Sequence, residues 1–225
     1  MKRAGFRRPT GSPALEYARA QITTPKTPWR RANYCVVDLE LSGLDPREDE
    51  IISFGAVPID AGRLVAGSAV YGICRPSRPL VESSILIHGI RTVDLADAPP
   101  LDEAVQPLIT AMTGRVIVAH VARVERAFLS QMLRRQGVRL RGPILDTYEL
   151  GRLLALQRRE PSPRRTLDEL AEYLGLPIYR RHHALGDALT TAQVFLALAT
   201  HLDEFTPETV RSLDHVRDRV RLLSA

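Results

Sequence analysis

Asp38 and Glu40 stand two residues apart in the run Tyr34-Cys35-Val36-Val37-Asp38-Leu39-Glu40-Leu41-Ser42-Gly43-Leu44. The run is nearly continuous in apolar residues and rich in β-branched ones, which predicts a strand. Apolar residues on both faces predict a strand covered on both sides, as at the centre of an α/β sheet. Side chains alternate along a strand, so the two acids share a face. Two like charges on one face of a buried strand oppose folding unless something neutralises them. A divalent cation does this well, and carboxylate oxygens are the hard ligands that Mg²⁺ or Mn²⁺ prefers. A strand that frays here and turns both acids to water would account for the same two residues, so the pair alone decides nothing.

Further acids fall close to core-facing positions. Val121 to Arg135 reads as a helix with Val121, Val124, Phe128 and Met132 on one stripe. At about 100° per residue, Glu125 lies about 40° from the centre of that stripe, while Arg123, Arg126, Ser130 and Arg134 take the opposite face. The plainer reading of Glu125 is a stem along the core with its head in water. Asp187 sits in the first turn of a strongly apolar helix, Ala184 to Leu202, where complementing the helix dipole would explain it. Alternating strands and helices predict a sheet with helices on both faces. In such a sheet the ends of the strand and of both helices can meet in one cleft. Four carboxylates and no cysteine describe a site for two hard divalent ions, which about 3.5–4 Å apart activate a water and stabilise the attacking and leaving oxygens of a phosphodiester. His182 precedes Asp187 in the loop entering the same helix. It is a candidate general base for that water, because imidazole titrates near neutrality.

The positioning elements follow from pattern. Ile51 to Ile59 and Arg63 to Cys74 read as strands joined by the turn Asp60-Ala61-Gly62. Leu86 to Ile90 is a short apolar element containing His88, Leu101 to Met112 a helix, and Arg115 to Ala119 a buried strand. Asp146 is placed to cap a helix over Thr147 to Leu156, and Thr166 to cap one over Leu167 to Leu174. Thr206 to Leu223 reads as a last amphipathic helix.

The net charge of +5 is unevenly placed. Residues 1–31 carry Lys2, Arg3, Arg7, Arg8, Arg19, Lys26, Arg30 and Arg31 against Glu16 alone, so the remainder is slightly acidic. A basic arm beside an acidic site suits a polyanionic partner; a solubilising tail would look the same. Cys35 and Cys74 are too few for a disulfide framework or a thiolate metal site, which fits a cytoplasmic protein. No apolar run approaches membrane-spanning length, so no membrane partner is expected.

Taken in order, these motifs make the chain resemble the DEDDh family of 3′–5′ exonucleases, in the group of proofreading epsilon subunits of bacterial DNA polymerase III. The resemblance runs from Tyr34 to His201. It rests on Asp38-Leu39-Glu40-Leu41-Ser42-Gly43, Ile51-Ile52-Ser53-Phe54-Gly55-Ala56-Val57, His88-Gly89-Ile90, Asp146-Thr147, Thr166-Leu167-Asp168-Glu169-Leu170 and His182-His183-Ala184-Leu185-Gly186-Asp187-Ala188. It implies an α/β, RNase H-like exonuclease fold, a five-stranded mixed sheet flanked by helices. The domain would span residues 32–202, between the basic arm 1–31 and a helical tail 203–225. By the same resemblance Asp38, Glu40, Glu125 and Asp187 hold two divalent cations, Mg²⁺ or Mn²⁺, and His182 is the general base, with His183 at a variable position. Leu41, Ser42, Gly43, His88 and His120 would contact substrate. The middle motif departs from the family's His-Asn-x-x-Phe-Asp, reading His120-Val121-Ala122-Arg123-Val124-Glu125. Glu125 keeps the charge but reaches one methylene further, which would shift or weaken one ion. Leu41 replaces the usual Thr. The implied reaction is hydrolysis of single-stranded DNA from its 3′ end to nucleoside 5′-monophosphates, in proofreading or repair, with a DNA polymerase as a candidate partner. An exoribonuclease resembling ribonuclease T or oligoribonuclease, and a catalytically decayed nucleic-acid or polymerase-binding module, are the alternatives.

Overall fold

The strand expected around Asp38 is Asn33–Leu41 (β1), at the middle of a mixed sheet. A computed structural model of the chain describes residues 11–162 and 166–224. β2 (Ile51–Asp60) lies antiparallel on one side of β1. The outer edge of β2 is shared by two short antiparallel segments, β3 (Arg63–Leu64) and β4 (Val70–Ile73). On the other side, β5 (Val116–Ala119) runs parallel to β1 and β6 (Ile144–Asp146) parallel to β5. Strand segments thus occupy five positions across the sheet, as expected. The single strand expected over residues 63–74 is interrupted by a helical turn at Ala66–Ser68, where small residues offer nothing to pack on a sheet face.

The helices in chain order are α1 (Pro13–Arg19), α2 (Glu82–His88), α3 (Leu101–Ala104), α4 (Gln106–Met112), α5 (Arg123–Arg135), α6 (Thr147–Arg158), α7 (Leu167–Tyr173), α8 (Ala184–Phe205), α9 (Val210–Asp214) and α10 (Val216–Leu223). The helix expected over 101–112 is divided at Val105, ahead of Pro107, which supplies no N–H to continue the ladder. The expected caps are present: Asp146 accepts from the Tyr148 N–H and Thr166 from the Glu169 N–H.

Strand alternation sorts the core into two layers. Tyr34 and Val36 pack with Leu150, Leu153, Phe195 and Leu198 beneath α6 and α8. Cys35, Val37 and Leu39 pack with Leu108, Met112, Phe128 and Met132 beneath α4 and α5. Each such aliphatic side chain contributes about 1.5–3 kcal/mol on burial. A one-residue slip would exchange the faces, so this packing also fixes the face on which Asp38 and Glu40 emerge.

The described parts of the expected arm and tail pack into this core. Residues 1–10 lie outside the described residues. Ala14 and Tyr17 of α1 are buried, and Arg141 Nη1 donates to the carbonyl oxygens of Tyr17, Ala18 and Ala20 at 2.7–3.1 Å. Trp29 is 1% exposed and meets Phe195 edge to face at 6.4 Å. Its backbone N–H donates to the Glu208 carbonyl oxygen, and the Val210 and Arg211 backbone N–H groups donate to the carbonyl oxygens of Thr27 and Pro25. The two ends of the domain are therefore stitched to each other. The last helix is broken at His215 into α9 and α10, whose Val210, Leu213, Val216 and Val220 join the same layer.

Trp29→Ala is expected to lower unfolding stability by about 3–5 kcal/mol, read by urea denaturation. A loss under about 1 kcal/mol would show that this segment is not part of the core.

Candidate active site

Past Val36, the α8 side of β1 carries Asp38 and Glu40. Asp38 pairs with Gly55 on β2. A Cβ at Gly55 would collide with the backbone of Ala184 and Leu185, at the start of α8. Only glycine lets a helix backbone come so near a strand. The first turn of α8 thereby rests on β1 and β2, with Asp187 directed at the strand acids. Asp38, Glu40 and Asp187 each offer a carboxylate oxygen within 4.8 Å of the others, a group able to hold a metal ion. The β1–β2 register shifts between Glu40 and Leu41, an irregularity of the kind that re-aims side chains beside sites.

Glu125 comes from the opposite layer, in the first turn of α5. Its carboxylate stands outside the 4.8 Å group. Its head does not extend into open solvent as a surface glutamate's would: the residue is 7% exposed, and Oε2 is buried with no hydrogen-bond partner. The turn leading to it is strained. Val121 has φ 56°, a left-handed conformation that β-branched residues avoid and asparagine tolerates. The loss of the family's Asn thus falls at a position whose backbone favours Asn. The Val121 N–H is held by Asp146 Oδ1 at 3.1 Å.

Three of the four histidines singled out in the sequence lie near the acids. The His182 N–H donates to Asp187 Oδ2 at 2.9 Å, from a backbone with φ 54°. Its side chain is exposed, while the neighbouring His183 ring is stacked on Tyr71 at 4.6 Å. His88 is buried. Its Nδ1 accepts from the Ile90 N–H at 3.0 Å, which leaves the proton on Nε2, a buried atom with no partner. His120 goes elsewhere: its Nδ1 meets Thr147 Oγ1 at 3.0 Å, beside Asp146.

Two hollows flank the acids. One, of about 520 Å³, is mostly apolar and runs from Glu40 and Glu125 over Leu41, Val81, Ile87 and Val124. The other, of about 470 Å³, is lined by Tyr71, Arg180, Arg181, His182 and His183, and His88 borders both. Of the residues expected to contact substrate, Leu41, Ser42, Gly43 and His88 line the first hollow; His120 lines neither. The Ser42 hydroxyl is committed to Asp49 Oδ1 at 3.1 Å, and a Cβ on Gly43 would strike that carboxylate. These two residues therefore shape the loop rather than offer free polar groups. Sequence reasoning missed the roles of Gly55, Tyr71, Val81 and Ile87. A glycine inside a strand pattern signals close backbone approach, so the first was there to be read.

Crowding sets the electrostatics. Burial, then the charges of Glu125, Asp187 and Glu40, push the Asp38 carboxyl well above its usual range. Burial and Asp187 raise Glu40 to about 7, and burial raises Glu125 to about 8, with Asp146 adding to it. Burial raises Asp187 to about 6 against the opposing His182 N–H and charge. An all-oxygen, negatively charged set with an orphaned buried oxygen fits hard divalent cations.

The sequence family described as Exonuclease matches residues 35–195. The chain belongs to this exonuclease family. It is 31% identical over 193 residues to a DNA polymerase III PolC-type protein of Thermotoga petrophila, covering 85% of this chain and 14% of that one. It is 35% identical over 176 residues to a DNA polymerase III subunit epsilon-like protein of Rhodobacter capsulatus, covering 77% and 24%. The chain thus spans under a quarter of the length of these relatives. Its fold is similar to that of Exonuclease X in complex with 5′-overhanging duplex DNA, with TM-score 0.63, 21% identity and coverage of 81% and 98%. It is also similar to Escherichia coli Exonuclease I in complex with a dT13 oligonucleotide, with TM-score 0.68, 16% identity and coverage of 77% and 42%. The fold is the expected mixed-sheet, RNase H-like exonuclease fold. No helix among the described residues is long and apolar enough to cross a membrane.

In the unfolded chain Asp187, Glu40 and Glu125 ionise near their ordinary values of 3.8 and 4.5, whereas the folded chain keeps their protons to about 6, 7 and 8, and Asp38 is shifted in the same direction. The folded state therefore binds more protons in that window, and its stability falls as pH rises. Without metal, Tm is expected to fall from about pH 5 to about pH 8, and Mn²⁺ to raise it more at the higher pH. A flat profile, or equal Mn²⁺ shifts at both ends, would contradict this electrostatic account.

Proposed function

We propose that the chain is a metal-dependent 3′–5′ exonuclease that hydrolyses single-stranded DNA from its 3′ end and releases nucleoside 5′-monophosphates. The observation that carries this reading is the meeting of Asp38, Glu40 and Asp187 within 4.8 Å, beside buried Glu125 and an apolar hollow. Asp38, Glu40, Asp187 and Glu125 would hold two Mg²⁺ or Mn²⁺ ions, which when bound draw charge from the scissile phosphate and acidify the attacking water. Glu125, whose carboxylate stands outside the group of three, would act at the edge of the site.

The terminal base enters the hollow lined by Leu41, Val81, Ile87 and Val124. The His88 Nε2–H has no protein partner and donates to the terminal nucleotide. His182 takes the proton of the attacking water, its backbone pinned to Asp187. That water bonds to phosphorus, the bond from phosphorus to the 3′ oxygen of the penultimate sugar breaks, and the chain is left with a new 3′-hydroxyl. The stacking of His183 on Tyr71 supports His182 as the base of the pair. DNA as substrate is supported by relatives named as DNA polymerase III chains and by fold neighbours held with DNA. The same relatives support a DNA polymerase as partner, and buried free Cys35 and Cys74 suit the cytoplasm.

With Mn²⁺, a 5′-labelled single-stranded DNA oligomer is expected to shorten stepwise, and a 3′-labelled one to release labelled mononucleotide first. Asp38→Ala abolishes both, and His182→Ala lowers kcat about 10²–10⁴-fold. Mononucleotide released first from the 5′ label would reverse the polarity, faster digestion of the matched RNA would make the chain an exoribonuclease, and no product at any enzyme concentration would make it a binding module.

A further inference from the structure

A third hollow, of about 530 Å³, opens at the C-terminal end of β6, between the start of α5, α6 and α10. Four arginines line it: Arg123, Arg152, Arg217 and Arg221. Its acids, Asp146 and Glu149, are both buried and already partnered. Arg217 reaches Asp146 Oδ2 at 3.3 Å and Glu149 Oε1 at 3.4 Å, and Arg152 reaches Glu149 Oε2 at 3.0 Å. That leaves Arg123 and Arg221, both exposed and in no ion pair among the described residues. Unpaired like charges around one concavity repel one another, and the arrangement is relieved by an anion between them. Guanidinium forks match phosphate oxygens in particular.

Its position narrows the anion. β1, β5 and β6 are parallel neighbours, so their C-terminal ends form one edge of the sheet. Adjacent strands are about 4.8 Å apart, which sets the end of β6 about 10 Å along that edge from Asp38. Asp146 and Glu125 interact electrostatically across the gap. Arg126 and Arg217 continue the basic lining into an adjoining hollow that also holds Asp214. The lining is thus two strand spacings from Asp38, within reach of the upstream phosphates of a strand whose 3′ end lies there.

We infer that the hollow formed by Arg123, Arg152, Arg217 and Arg221 binds backbone phosphates of the nucleic-acid strand a few nucleotides upstream of the scissile bond. The inference rests on the nuclease reading above. It gives α10 a role as a strand guide: the helix lies beyond the residues matched by the family and contributes two of the four arginines.

The test uses the full chain with Arg123→Ala and Arg221→Ala combined, leaving in place the arginines that neutralise Asp146 and Glu149. Binding of a fluorescent single-stranded DNA 12-mer is measured by anisotropy in EDTA, which prevents turnover, across a salt series. The double variant is expected to bind about tenfold more weakly, and its slope of log K against log salt to fall by about 1.4, or about 0.7 per lost phosphate contact. The paired Arg→Lys variants restore the slope, and Arg139→Ala, on an exposed loop, changes nothing. With Mn²⁺, the double variant raises KM for the 12-mer and leaves kcat within about twofold. Wild-type affinity and slope in the double variant would overturn the inference while leaving digestion from the 3′ end untouched. Loss of wild-type digestion with a normal arginine-dependent salt slope would instead remove the nuclease reading and keep the phosphate site.

Discussion

Carboxylates that repel one another are forced into one small space, and the rest of the structure is arranged around that repulsion. Asp38, Glu40 and Asp187 lie within 4.8 Å, with Glu125 buried behind Asp38. In water, unit charges at such a distance repel by about 1 kcal/mol, and by several times more at the effective dielectric near a protein surface. A domain with a net stability of about 5–15 kcal/mol tolerates this only by keeping protons on the acids or by admitting cations. The raised Glu40, Glu125 and Asp187 values describe the first solution; divalent ions would supply the second and leave the acids charged.

What holds the acids together is apolar packing elsewhere. Tyr34 and Val36 set the face of β1, α8 is anchored along its length by Phe195, Leu198 and Leu202, and Gly55 lets its first turn close on the strand. Trp29 and the segments paired with Glu208 and Val210 seal the far end of the same layer. The site sits at the edge where the core stops and the strand ends, so its geometry is imposed by residues that never touch a substrate. Val121 shows the same logic locally: its backbone keeps the left-handed turn that aims Glu125, although the side chain is poorly suited to it.

Much of this was legible in the chain. The alternation in β1, the apolar face of α8 and the core-facing side of α5 each state which way an acid points, because periodicity couples directly to burial. Other features were hidden for physical reasons. Trp29 sits among Pro28, Arg30 and Arg31, and the stretch reads as a solvated arm; only the structure shows the indole buried and the arginines turned outward. Glu125 was readable in direction but not in reach, since the gap between it and the other acids depends on how α5 docks. His120 shows the limit of a motif: its Thr147 contact arises from the pairing of β5 with β6, a long-range fact. The apolar hollow draws on Leu41, Val81, Ile87 and Val124, which no local pattern links.

The most direct test of the central claim is calorimetric titration of Mn²⁺ into the metal-free protein near pH 8, compared with Asp187→Asn. The account predicts two ions per wild-type chain, with release of protons on binding, and weakened or single-site binding in the variant. Absence of Mn²⁺ binding to the folded wild type, or binding unaffected by Asp187→Asn, would show that these carboxylates are not gathered to hold metal.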